Sequence, residues 1–286
     1  PWQLQMFQAC NSESRDILSA GDAVLIFDPE NRAFLKSNAA RQMSTRSSLA
    51  STPVYLESTT ARGWPDSNCI WVLEREVTST GGPVCRSDLI RLRHLNSAWF
   101  LSIAEYEDRA ALETTRAATD ASLFELAPLQ PTQPQLPNNA AIQIHRDGLF
   151  CCRAIHNGQV TLELTDDRQE AISMLIYRPP RDMLMAVHVG VNALTHLQLF
   201  IKLLYRQDWA AVAASFKFFL TITSMLERFV QGKRLSGKIV LDDQEDGHTL
   251  VKKQILFLEQ GIVQSLVEIL DLTQDARLHQ PRARAM

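Results

Sequence analysis

The residues of this chain that could do chemistry are few and scattered. It carries no G-x-S-x-G, no H-E-x-x-H and no P-loop, so the common nucleophile, zinc and phosphate-cradle patterns are missing. His94 and His145 fall at strand-to-turn positions, where a surface role is expected. His188 and His196 lie eight residues apart on one predicted helix, and packing or solvent contact is the expected role. Asp242-Asp243-Gln244-Glu245-Asp246-Gly247 imitates the start of a calcium loop. Position twelve of that loop is Lys253 where a bidentate Glu is required, so it reads as a solvated acidic linker before a helix. The five cysteines, Cys10, Cys69, Cys85, Cys151 and Cys152, make no C-x-x-C, and an odd count without a signal peptide predicts reduced thiols in the cytosol. The run Arg91, Arg93, His94 reads as a solvated strand face. No enzyme activity, metal or cofactor is expected from these residues.

Composition narrows the classes further. The 286 residues carry 29 basic and 32 acidic side chains, a net charge of -3, which argues against a nucleic-acid binder working through a basic field. Hydrophobic residues at 45% exclude wholesale disorder. The apolar runs read as too short and too interrupted for a transmembrane segment. The chain opens at Pro1 in what reads as mid-strand, suggesting a piece of something longer.

The elements that must position any site divide near Pro179-Pro180. Before it come short strands, among them Ala23 to Phe27, Val54 to Leu56, Cys69 to Leu73 and Leu89 to Arg93. After it the spacing is helical over Met183 to Tyr205, Trp209 to Val230 and Thr249 to Leu272, the last broken near Gly261. The strand region repeats. Val24 to Asp28, Ile90 to His94 and Ile142 to Arg146 share one alternating form. Three bulky closing segments centre on Trp71, Phe124 and Leu175, at intervals of 53 and 51 residues. Three units of about 50 residues predict a β-trefoil whose core holds those three side chains. Stacked antiparallel helices after it predict the start of an armadillo-like solenoid. The predicted organisation is a linker and the end of a preceding domain over 1–20, a β-trefoil over 21–179 and the α-helical solenoid over 180–286.

Several stretches resemble the ligand-binding core of inositol trisphosphate receptors. They are Asp16 to Val24 with Phe34-Leu35, Val54 to Arg62, Ser122 to Leu126, and Lys253 to Asp271 around Glu259-Gln260-Gly261-Ile262. Ile90 to Leu95 is similar to that family's MIR motif, and Leu256 to Gly261 leans toward the related ryanodine receptors. The resemblance implies the cytosolic part of a large tetrameric, ligand-gated calcium-release channel of the endoplasmic reticulum membrane. Its partners would be other subunits of a homo- or hetero-tetramer, with membrane contact only through a pore region further along. MIR repeats also occur beside protein O-mannosyltransferases, and a trefoil lectin is a third reading.

By resemblance, inositol trisphosphate would meet Thr59, Thr60, Ala61 and Arg62. The match is degenerate. Glu57 and Ser58 stand where the family has Arg, Ala61 replaces a Gly, and Leu25 and Ala33 occupy two further positions that are basic in the family. The helix face that should carry cations at i, i+4 and i+7 reads Val251, Ile255 and Leu258, a stripe expected to pack on a core. The expectation is therefore weak or absent binding of inositol trisphosphate.

Overall fold

The computed structural model describes residues 16–38, 51–58, 65–77, 81–107, 109–130, 133–156, 158–231 and 247–279. Two compact units emerge, Pro1–Leu184 and Met185–Met286.

The first unit holds twelve described strands. They are β1 (Ala23–Asp28), β2 (Ala33–Ser37), β3 (Ser51–Ser58), β4 (Ile70–Arg75), β5 (Ile90–His94), β6 (Phe100–Glu105), β7 (Ala110–Thr115), β8 (Glu125–Pro128), β9 (Ala140–Arg146), β10 (Leu149–His156), β11 (Gln159–Thr165) and β12 (Met174–Tyr177). All join one antiparallel sheet. β1 is its hub and pairs with β2, β4 and β12, placing Val24 opposite Trp71 and Ile26 opposite Ile176. Further pairings of β3 with β7 and of β11 with both close the sheet on itself. The barrel is filled by β-branched, aliphatic and aromatic side chains, with Trp71, Phe124, Ile26, Leu35, Leu73 and Leu92 among those fully buried.

A ring of backbone hydrogen bonds joins three further stretches of this unit. Leu18, Val84 and Leu136 are each fully buried. Leu18 N–H donates to the Leu136 carbonyl at 2.8 Å, Leu136 N–H to Val84 at 2.7 Å, and Val84 N–H to Leu18 at 2.8 Å. Three stretches far apart in sequence thus satisfy one another's buried polar groups while inserting three aliphatic side chains. Residues 17–19 belong to this ring and bridge to Pro137 and Pro83.

The expected β-trefoil followed by an all-α armadillo-like solenoid is corrected by this architecture. The strands form a closed antiparallel β-barrel in which β4 with β5, β8 with β9, β1 with β12, and β3, β7 and β11 with one another pair across the borders of the expected units. Beyond the barrel four α-helices are described, α1 (Arg181–Tyr205), α2 (Trp209–Val230), α3 (Gly247–Glu259) and α4 (Ile262–His279). The third closing residue is also corrected. Trp71 and Phe124 are buried as expected, but Leu175 is only partly covered while Met174 and Ile176 are fully buried. A slip of one residue along a strand exchanges its two faces.

In the helical unit, Phe200 of α1 stacks on Phe219 of α2 at 4.6 Å, and Phe229 of α2 on Phe257 of α3 at 5.4 Å. Asp208 caps α2 by accepting from Ala211 N–H at 3.1 Å. The expected break falls at Gly261, whose φ of +81° suits glycine and separates α3 from α4. Beside it, Gln260 is buried and donates through Nε2 to the Val187 carbonyl at 3.0 Å. Gly190 makes room for that amide, since a Cβ there would lie 1.8 Å from Gln260 Oε1. Contrary to the sequence reading, α1 and α2 are long and apolar enough to cross a membrane, by length and composition.

His94 is not at the surface. It is fully buried at the end of β5, beside Trp71 with ring centroids 5.3 Å apart. Its Nε2 lies 3.1 Å from the Asn68 carbonyl and its Nδ1 2.7 Å from Ser97 Oγ. A carbonyl only accepts, so the proton sits on Nε2 and Nδ1 accepts from the serine. Burial pushes its pKa down to about 4. The unfolded chain therefore binds more protons than the folded one between about pH 6.5 and 4, so stability falls as pH drops through that window. Expected for the wild type is a loss on the order of 3 kcal/mol across it from this residue. Urea unfolding of His94→Gln against wild type at pH 7 and pH 4 checks this. The variant starts less stable and loses less on acidification, and parallel losses in the two proteins would refute the assignment.

Candidate functional site

Thr59, Thr60, Ala61 and Arg62, the residues expected to contact a phosphate ligand, lie outside the described residues, as does Cys10. What is described is the ground on both sides of them, the end of β3 and the turn that begins at Asp66. That ground is organised by one buried cation.

Lys36 sits in β2, opposite Tyr55 of β3. Strand β2 is buried along its whole length, so its lysine enters the protein with its neighbours. The ammonium pairs with both Glu57 and Asp66 and lies 5.9 Å from the centre of the Tyr55 ring. Burial acts to lower its pKa, but the hydrogen bond and charge of Asp66, followed by the hydrogen bond of Glu57, prevail and raise it above the ordinary lysine value. Asp66 is itself anchored, accepting at 2.9 Å from both the backbone N–H and the side-chain amide of Asn68. Burial likewise raises the Tyr55 pKa, with the nearby Lys36 charge opposing.

The consequence is electrostatic. Two carboxylates and one ammonium flank the stretch 59–64, and the ammonium is already committed. A polyphosphate approaching here meets surplus negative charge and finds no unengaged cation among these three side chains. The other positions where the resemblance asks for base are equally unfit. Leu25 and Ala33 are buried in the barrel wall. Val251 and Leu258 on α3 are apolar and, against expectation, exposed at 50% and 60%, so they neither hold an anion nor pack on a core.

The run Arg91, Arg93, His94 is likewise built in, not solvated. Arg91 is buried and donates to Ser122 Oγ at 3.2 Å and to the Glu76 carbonyl at 2.9 Å, while Arg93 pairs with Glu74. A second polar cluster joins the β6–β7 and β10–β11 hairpins. His156 Nε2 lies 2.6 Å from Glu163 and Arg109 Nη1 3.2 Å from His156 Nδ1, while Tyr106 donates to Glu113. Its members bridge hairpins, and the cluster contains no Ser or Cys nucleophile set against a base. Cys85, Cys151 and Cys152 are free thiols, and burial drives the Cys151 thiol strongly up, away from reactivity. Among the described residues no group of His, Cys, Asp and Glu is arranged to hold a metal ion.

Sequence reasoning missed the Lys36 cluster, although Ala33-Phe34-Leu35-Lys36-Ser37 held a signal. A lysine inside a continuously buried strand requires acidic partners, and Glu57 and Asp66 bracket in sequence the residues that drew attention.

No protein-family model matches the chain, and no curated protein matches it. Neither comparison bears on a calcium-release channel, and the β-trefoil and armadillo solenoid expected with it are replaced by the β-barrel and its four described α-helices.

Removing the cation should be costly. Lys36→Met leaves two carboxylates facing each other, Asp66 well buried, and should destabilise by about 3 kcal/mol. The triple variant Lys36→Met, Glu57→Gln, Asp66→Asn should recover most of that loss. Chemical denaturation of the two variants checks it; equal stability of both would show that the three charges do not act as a unit.

Proposed function

We propose that this chain is a non-catalytic binding segment of the inositol trisphosphate receptor type whose phosphate site is degenerate, so that it works through protein contacts. The resemblance of Val54 to Arg62 and of Glu259 to Ile262 motivates the type. The observation that carries the loss of the site is the engagement of Lys36 by Glu57 and Asp66 beside the 59–64 stretch. Magnitudes agree with it. A charge-assisted hydrogen bond contributes roughly 1.5–3 kcal/mol, while micromolar affinity needs about 8 kcal/mol net of association costs. Arg62 with two threonines falls short. In a parent protein of this type, subunits and an endoplasmic reticulum location follow from the resemblance alone.

Titration calorimetry of the chain with inositol trisphosphate tests the proposal. No saturable heat is expected at low salt. Micromolar or tighter binding, weakened by salt and lost in Arg62→Ala, would overturn it.

A further inference from the structure

We draw no further inference here: the strongest candidate, the large apolar side chains exposed along α2, α3 and α4, among them Trp209, Phe216, Leu258 and Leu270, carries nothing, because nothing in the structure shows what covers them.

Discussion

The barrel depends on the ring of hydrogen bonds through Leu18, Val84 and Leu136. Each residue places a backbone donor and acceptor where water is excluded, and each finds both partners in the other two. Remove one and two buried polar groups lose their partners together, the expensive kind of loss. The ring also ties residues 17–19, 83–85 and 135–137, three stretches whose local sequence gives no sign that they meet. Asp22 extends it. That carboxylate accepts from Ser19 N–H at 2.7 Å and from Arg178 at 2.5 Å, linking the start of the barrel to the segment just after its last strand.

Charge inside the first unit follows the same rule. Asp28 is fully buried at the end of β1, and Arg153 of β10 reaches it with two bonds of 2.9 and 2.7 Å. Burial alone would raise the Asp28 pKa, yet Arg153 and Asn31 hold it below the usual carboxylate value. Lys36 and Asp22 are each matched by opposite charge, and Arg91 donates to the Ser122 hydroxyl and the Glu76 carbonyl. Side chains engaged in this way fix the register of the strands they join. They are poorly suited to exchange partners with a ligand, because each departure leaves a buried charge behind. These buried polar residues therefore form a frame, while α2, α3 and α4 carry large apolar side chains that are exposed.

Strands and helices were legible in the sequence wherever periodicity was strong. Alternation placed β1, β4 and β5 close to their bounds, and α2 runs over the expected residues. Pairing was not legible. A period near 50 residues says that hairpins recur, but not that β1 pairs three ways or that β11 joins β3 and β7. The one-residue error at Leu175 shows the limit of pattern: Met174, Leu175 and Ile176 are all apolar, so hydrophobicity could not choose the buried face. His94 was misplaced because a polar residue at a strand end usually faces water, and here Asn68 and Ser97 supply both hydrogen bonds it needs. At the candidate site the resemblance pointed to residues 59–62. Its meaning depended on Lys36, whose partner Asp66 lies thirty residues away, so no local motif joins the two.

Held by Glu57 and Asp66, the Lys36 ammonium is not released to a phosphate ligand. Nitrogen-detected NMR of the lysine ammonium groups measures this directly. On adding inositol trisphosphate, the Lys36 signal should keep its shift and its slow hydrogen exchange, as expected for an ammonium held by two carboxylates. A saturable shift of that signal, with faster exchange as the carboxylates let go, would contradict the account.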